Sequence, residues 1–147
     1  MLEGEKVPYP VEVVWEGEKR FRGGVAGVTS ILIDGSRTEG PSPVDSILVS
    51  VASCSGIDLV DILEKRRTPV LELSIRVEFS RAPTPPKRLT RIDTHYRVVT
   101  GSERHHVVRA LELSYEKYCS VTASLAPDTE INWSVDVFSP SGERVVG

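Results

Sequence analysis

Cysteine and histidine are both scarce in this chain. Its 147 residues hold two cysteines, Cys54 and Cys119, and three histidines, His95, His105 and His106. The cysteines stand 65 residues apart, which excludes a Cys-x-x-Cys motif. No His-x-x-x-His pattern occurs, so no metal site is expected from spacing. A basic stripe with interleaved aromatics is also missing. With a net charge of −3 and a pI near 5.7, nucleic acid is not an expected partner. No unbroken apolar run reaches the roughly 18 residues of a membrane span, so none is expected. The charged N-terminal stretch MLEGEKVPYP reads as no secretory signal. The glycine-rich stretch RFRGGVAG lacks Gly-x-Gly-x-x-Gly and precedes no helix, so no phosphate cradle and no cofactor is expected.

What remains is an ordinary soluble composition, 39% apolar and 27% charged with both signs mixed. The length fits one domain over residues 1–147. The default compartment is the cytoplasm, where disulfides are transient and catalytic more often than structural.

Hydropathy patterning places the elements. VEVVW (11–15) reads as a strand, and ILIDG (31–35) as a short strand ending in an Asp-Gly turn, a hairpin signal. Ser42, Pro43 and Asp45 form a strong helix start: a capping serine, proline at the first helical position, an acid at the third. Apolar residues then recur at helical spacing from Ile47 to Leu63, and Lys65, Arg66, Arg67 and Pro69 close the helix. No charge falls between Asp45 and Asp58, so the first half is apolar nearly all round and predicts a buried central helix. Residues 71–79 and 92–98 alternate as half-buried strands. A second helix is expected from Ser102 to about Leu113. A third is expected from Ser114, capped by that serine and carrying Cys119, up to Pro127. Ile131 to Val137 forms a last strand. Strands and helices segregate along the chain, which is the α+β class.

Two readings of the cysteines are open. Free cysteine often packs as a small core hydrophobe. Both residues are also flanked by small neighbours, and both are expected on helices, where a nearby N-terminus favours thiolate. A Cys–His hydrolase would need a histidine brought to a cysteine by the fold, and nothing local suggests one.

Two motifs resemble a known family. One is Pro-x-Asp-x-x-Leu-x-x-x-x-x-Cys-Ser-x-x-Asp-x-x-x-x-Leu-x-Lys-Arg, from Pro43 to Arg66; the other is Leu-Ser-x-Glu-Lys-Tyr-Cys-Ser-Val, from Leu113 to Val121. Both, with the element order, resemble the OsmC/Ohr family of osmotically induced and organic hydroperoxide resistance proteins, and most closely its OsmC-like branch. The resemblance implies curved antiparallel sheets wrapped around long central helices in an intertwined homodimer. It implies a thiol-dependent peroxide reductase with Cys54 as peroxidatic and Cys119 as resolving cysteine. A hydroperoxide would be the substrate and an external dithiol the reductant. The family's activating glutamate follows the helix-start proline. Here that position is Val44, and the acid is Asp45, rotated by about 100° around the helix. Arg22 or Arg20 would stand for the family's arginine. The alternative is a non-enzymatic small-molecule binder or redox sensor on the same fold.

Overall fold

The computed structural model describes residues 4–28 and 30–147; the first three residues of the charged N-terminal stretch lie outside them. The chain divides into two compact units, residues 1–47 and 48–147.

In the first unit β1 (Val11–Trp15), β2 (Arg20–Val25) and β3 (Ile31–Asp34) form an antiparallel meander. Gly23 lies within β2 where the strands crowd: a Cβ there would meet Val13 Cγ2 at 3.2 Å. Asp34-Gly35 does not close a hairpin. The Asp34 carboxylate instead accepts from the Ser36 amide and hydroxyl, the Thr38 hydroxyl and the Glu39 amide, winding the next loop around itself. Those donors hold its pKa far below the usual carboxylate range.

The long helix α1 (Pro43–Lys65) starts where the capping residues put it. The Ser42 hydroxyl accepts from the Asp45 amide at 3.1 Å, and the Asp45 carboxylate accepts from the Ser42 amide at 3.0 Å. This is a reciprocal capping box with aspartate in the usual glutamate position.

The second unit is a four-stranded sheet in the order β4 (Val70–Arg81), β5 (Leu89–Thr100), β6 (Glu130–Phe138), β7 (Arg144–Val145). β4–β5 and β6–β7 are antiparallel, whereas β5 and β6 run parallel. A parallel pair needs a crossover. Here it is α2 (Arg104–Leu113), a π-helical turn over Ser114–Tyr118, and the short α3 (Ser120–Ala123). Leu59 and Leu63 of α1 pack with Tyr96, Val98, Val107, Leu111 and Val137 in the main core. By length and composition alone α1 is long and apolar enough to cross a bilayer, although no unbroken apolar run of that length occurs. Its packing on the sheet makes it a core helix. Gly56 lets it sit close: a Cβ there would stand 3.2 Å from Ile75 Cδ1.

Four further expectations are corrected. Ser102 does not cap α2, which begins at Arg104 after Glu103 and without a side-chain cap. The Ser102 amide instead donates to the hydroxyl of Thr100, the last residue of β5. Ser114 caps no helix either, because the chain continues helically through it. Cys119 is not inside a helix but breaks one, at φ −74° and ψ 97°. Nor is α1 covered all round: Val49 is 59% and Ile57 61% exposed in the single chain.

Candidate functional site

The second unit brings the two cysteines together. Cys54 lies about three turns into α1, beyond the first turn in which a helix dipole acts on a charge. It is partly exposed, whereas Cys119 is buried at 4% exposure, and both are free thiols. The route to Cys119 is set by the π turn. Its amide donates to the Ser114 carbonyl at 2.7 Å, five residues back. The backbone then turns extended, and the Cys119 sulfur becomes the cap of α3. It accepts from the Thr122 amide at 3.4 Å and lies 3.0 Å from the Thr122 hydroxyl. Cys54 lies near enough to this sulfur to bear on its titration. Burial pushes the Cys119 thiol pKa up, the Thr122 groups oppose this, and Cys54 adds to it. The net shift is upward, so Cys119 is a thiol at neutral pH.

A line of hydroxyls runs beside the pair. Ser55, next to Cys54, lies 2.5 Å from the Tyr96 hydroxyl, which lies 2.6 Å from that of Tyr115. Ser55 also donates to the Val51 carbonyl at 2.9 Å. Its single proton is thereby used, so Tyr96 donates to Ser55 and accepts from Tyr115. Burial is the main cause that raises the Tyr96 pKa, and the nearby Tyr115 and Cys119 add to it; the phenol stays neutral. Tyr115 stacks on Trp133 with ring centroids 6.1 Å apart. One turn after Cys54, the Asp58 carboxylate accepts from the Ser114 hydroxyl at 2.7 Å. Sequence reasoning missed Ser55, Tyr96, Tyr115, Asp58 and Thr122. Three of them stand inside the quoted motifs, which was the available signal; Tyr96 looked like any inward residue of an alternating strand.

Residues 34–134 match the family model described as OsmC-like protein. The chain belongs to the OsmC-like protein family. Protein YhfA of Escherichia coli is 37% identical over 128 residues, covering 85% of this chain and 95% of YhfA. The crystal structure of a hypothetical protein from Aquifex aeolicus superposes with a TM-score of 0.77 at 32% identity, covering 90% of this chain and 98% of that one. An organic hydroperoxide resistance protein OsmC from Legionella pneumophila superposes at 0.64 with 15% identity, covering 90% and 98%, a likeness of fold.

The polar residues expected to activate an OsmC-like thiol are engaged elsewhere. Asp45 is nine residues before Cys54, and nine steps of about 100° put the two on opposite sides of α1. Its carboxylate closes the capping box and accepts from Arg37 Nε at 2.7 Å. The Ser42 amide is the main cause that lowers its pKa. Arg22 on β2 pairs with Glu16 at 3.1 Å, and Arg20 with Glu18 and Glu39, each at 3.3 Å. Among the described residues, Glu103, His105 and His106 bring three potential metal ligand atoms within 4.8 Å of one another. Arg66 lies 2.7 Å from His106 Nε2, so that nitrogen already has a partner.

Proposed function

We propose that this protein is a thiol-dependent peroxide reductase working through a Cys54–Cys119 disulfide cycle. The observation that carries the reading is that the Ser114–Asp58 bond ties together the supports of a partly exposed and a buried cysteine 65 residues apart, near enough for Cys54 to raise the Cys119 pKa. The difference in exposure supports Cys54 as the peroxidatic and Cys119 as the resolving cysteine. A peroxide reaches Cys54 first, and its thiolate attacks one peroxide oxygen. The O–O bond breaks, and the leaving alkoxide or hydroxide takes a proton. Cys54 is then a sulfenic acid. The Cys119 sulfur attacks the Cys54 sulfur, water leaves, and a disulfide forms. An external dithiol reduces it. Substrates are organic hydroperoxides or hydrogen peroxide. The apolar residues Val49, Ile57 and Val60, exposed in one chain, support a homodimer; the proposal is completed by intertwined one-domain subunits acting in the cytoplasm.

A second reading is a slow redox sensor or small-molecule binder. The engagement of Asp45 and Arg22 in other ion pairs favours it, since neither is then free to activate a thiolate.

One experiment separates the readings. One equivalent of cumene hydroperoxide should remove two hydrogens per chain, as read by intact mass. A dithiol should restore them, and Cys54→Ser or Cys119→Ser should abolish the change. Steady-state turnover with dithiol then distinguishes enzyme from sensor. Two unmodified thiols would overturn both redox readings for this peroxide.

A further inference from the structure

One face of the second sheet carries a constellation that the thiol chemistry leaves unused. His95 on β5 and Ser134 on β6 are register partners across the parallel pair. Side chains alternate along a strand, so Asp136, two residues beyond Ser134, shares their face. The His95 imidazole bridges the other two: Nδ1 lies 2.7 Å from Ser134 Oγ, and Nε2 lies 3.1 Å from Asp136 Oδ2. An ionised carboxylate only accepts, so Nε2 carries the proton. In the neutral ring Nδ1 is then an acceptor, and the Ser134 hydroxyl donates to it. Arg144 donates to the other Asp136 oxygen at 2.9 Å and holds the carboxylate in place.

We propose that Ser134, His95 and Asp136 form a hydrolytic site for small uncharged carboxylic esters. The order of contacts is nucleophile, base, orienting acid, which is how a serine hydroxyl is made reactive. Ser134 is exposed, so an ester can reach it. A groove of about 390 Å³ runs past it, lined also by Arg76, Asp93, Asn132 and Trp133. That volume suits a small ligand. Its charged lining, Arg76 against Glu78 and Asp93, carries an excess of negative charge, which favours an uncharged ester over an anionic one. Donors for a developing oxyanion lie in the same groove. The Asn132 amide gives one N–H to Asp93 at 3.1 Å and keeps a second. Arg76 pairs with Glu78 through Nε, leaving its terminal nitrogens.

The step balances. Ser134 Oγ bonds to the carbonyl carbon while its proton passes to His95 Nδ1. The tetrahedral adduct expels the alcohol, which leaves with that proton. Water repeats the sequence on the acyl-serine and releases the acid. Asp136 keeps Nε2–H oriented throughout and is a positioning residue.

The test treats the full wild-type chain with a fluorophosphonate and maps the adduct by peptide mass, so that any thiol reaction is seen separately. Phosphonylation at Ser134 is expected. His95→Ala should slow it by about 10²- to 10⁴-fold, the usual worth of a general base. The hydrolysis of 4-nitrophenyl acetate by Cys54→Ser/Cys119→Ser protein should fall by a similar factor when Ser134→Ala is added. Asp136→Asn should slow labelling and Asp136→Glu should restore part of it, at unchanged thermal midpoint. An unlabelled Ser134, or labelling at a rate that His95→Ala does not change, overturns the proposal. Neither result bears on the cysteines.

Discussion

The hydroxyl of Ser114 donates to the carboxylate of Asp58 at 2.7 Å, joining the π turn to α1 directly beside the cysteine pair. Asp58 is one turn beyond Cys54, and Ser114 is the residue whose carbonyl takes the Cys119 amide. The bond therefore fixes both sulfurs' supports to each other. Asp58→Ala, Ser114→Ala and the double variant should show a coupling energy of about 1–2 kcal/mol in urea unfolding. Either single variant should also slow disulfide closure after peroxide by roughly tenfold, because small displacements of reacting atoms are costly. Additive effects with unchanged closure would show that the brace is incidental.

Tyr96→Phe removes the middle of the hydroxyl line and leaves Tyr115 without its acceptor. The ring still fills the core. A loss of about 1–2 kcal/mol is expected, read as a lower thermal midpoint. Tyr115→Phe should cost less, since Tyr96 keeps its bond to Ser55.

Asp45→Ala separates capping from catalysis. The capping box predicts a loss of about 1 kcal/mol. The rate of peroxide reaction at Cys54, followed by stopped-flow or by a sulfenic-acid trap in Cys119→Ser protein, should be within about twofold of the parent, because opposite faces of one helix are involved. A drop of a hundredfold would place Asp45 in the chemistry after all.

Acid stability should report Asp34. Its carboxyl pKa is depressed in the folded chain, chiefly by the Ser36 hydroxyl and then by the Glu39 and Ser36 amides. A depressed acid contributes stability that is present above its unfolded value, near 3.9. That contribution is lost as pH falls through the folded value. Asp45, also depressed, acts in the same direction. Asp34→Asn should lower the midpoint at pH 7 and flatten the decline below about pH 4. An unchanged slope would assign the acid sensitivity to other groups.

What the residues announced in advance was mostly local. Ser42, Pro43 and Asp45 mark the start of α1 because a cap is made within four residues. The alternation of β4 and β5 marks strands because each has one face on a core. The antiparallel partnership of these two was also legible from their proximity in sequence. Pairing of β5 with β6 in parallel was not, since it depends on a crossover of some thirty residues. The break at Cys119 was hidden for a similar reason. Ser114 looks like a cap in isolation, but its hydroxyl is taken by Asp58, which lies 56 residues away. The meeting of Cys54 and Cys119 came from family resemblance, not from spacing. Its physical basis, a sulfur capping α3, is visible only in three dimensions.

A π turn is an α-helix carrying one surplus residue. It lets five residues lead from Ser114 to Cys119 while the Cys119 amide still reaches the Ser114 carbonyl. Removing one position between Ser114 and Tyr118 would return the bonding to i to i−4 and leave the residues after it near their present phase. A relative with one residue fewer there could therefore keep both the fold and the encounter of its cysteines.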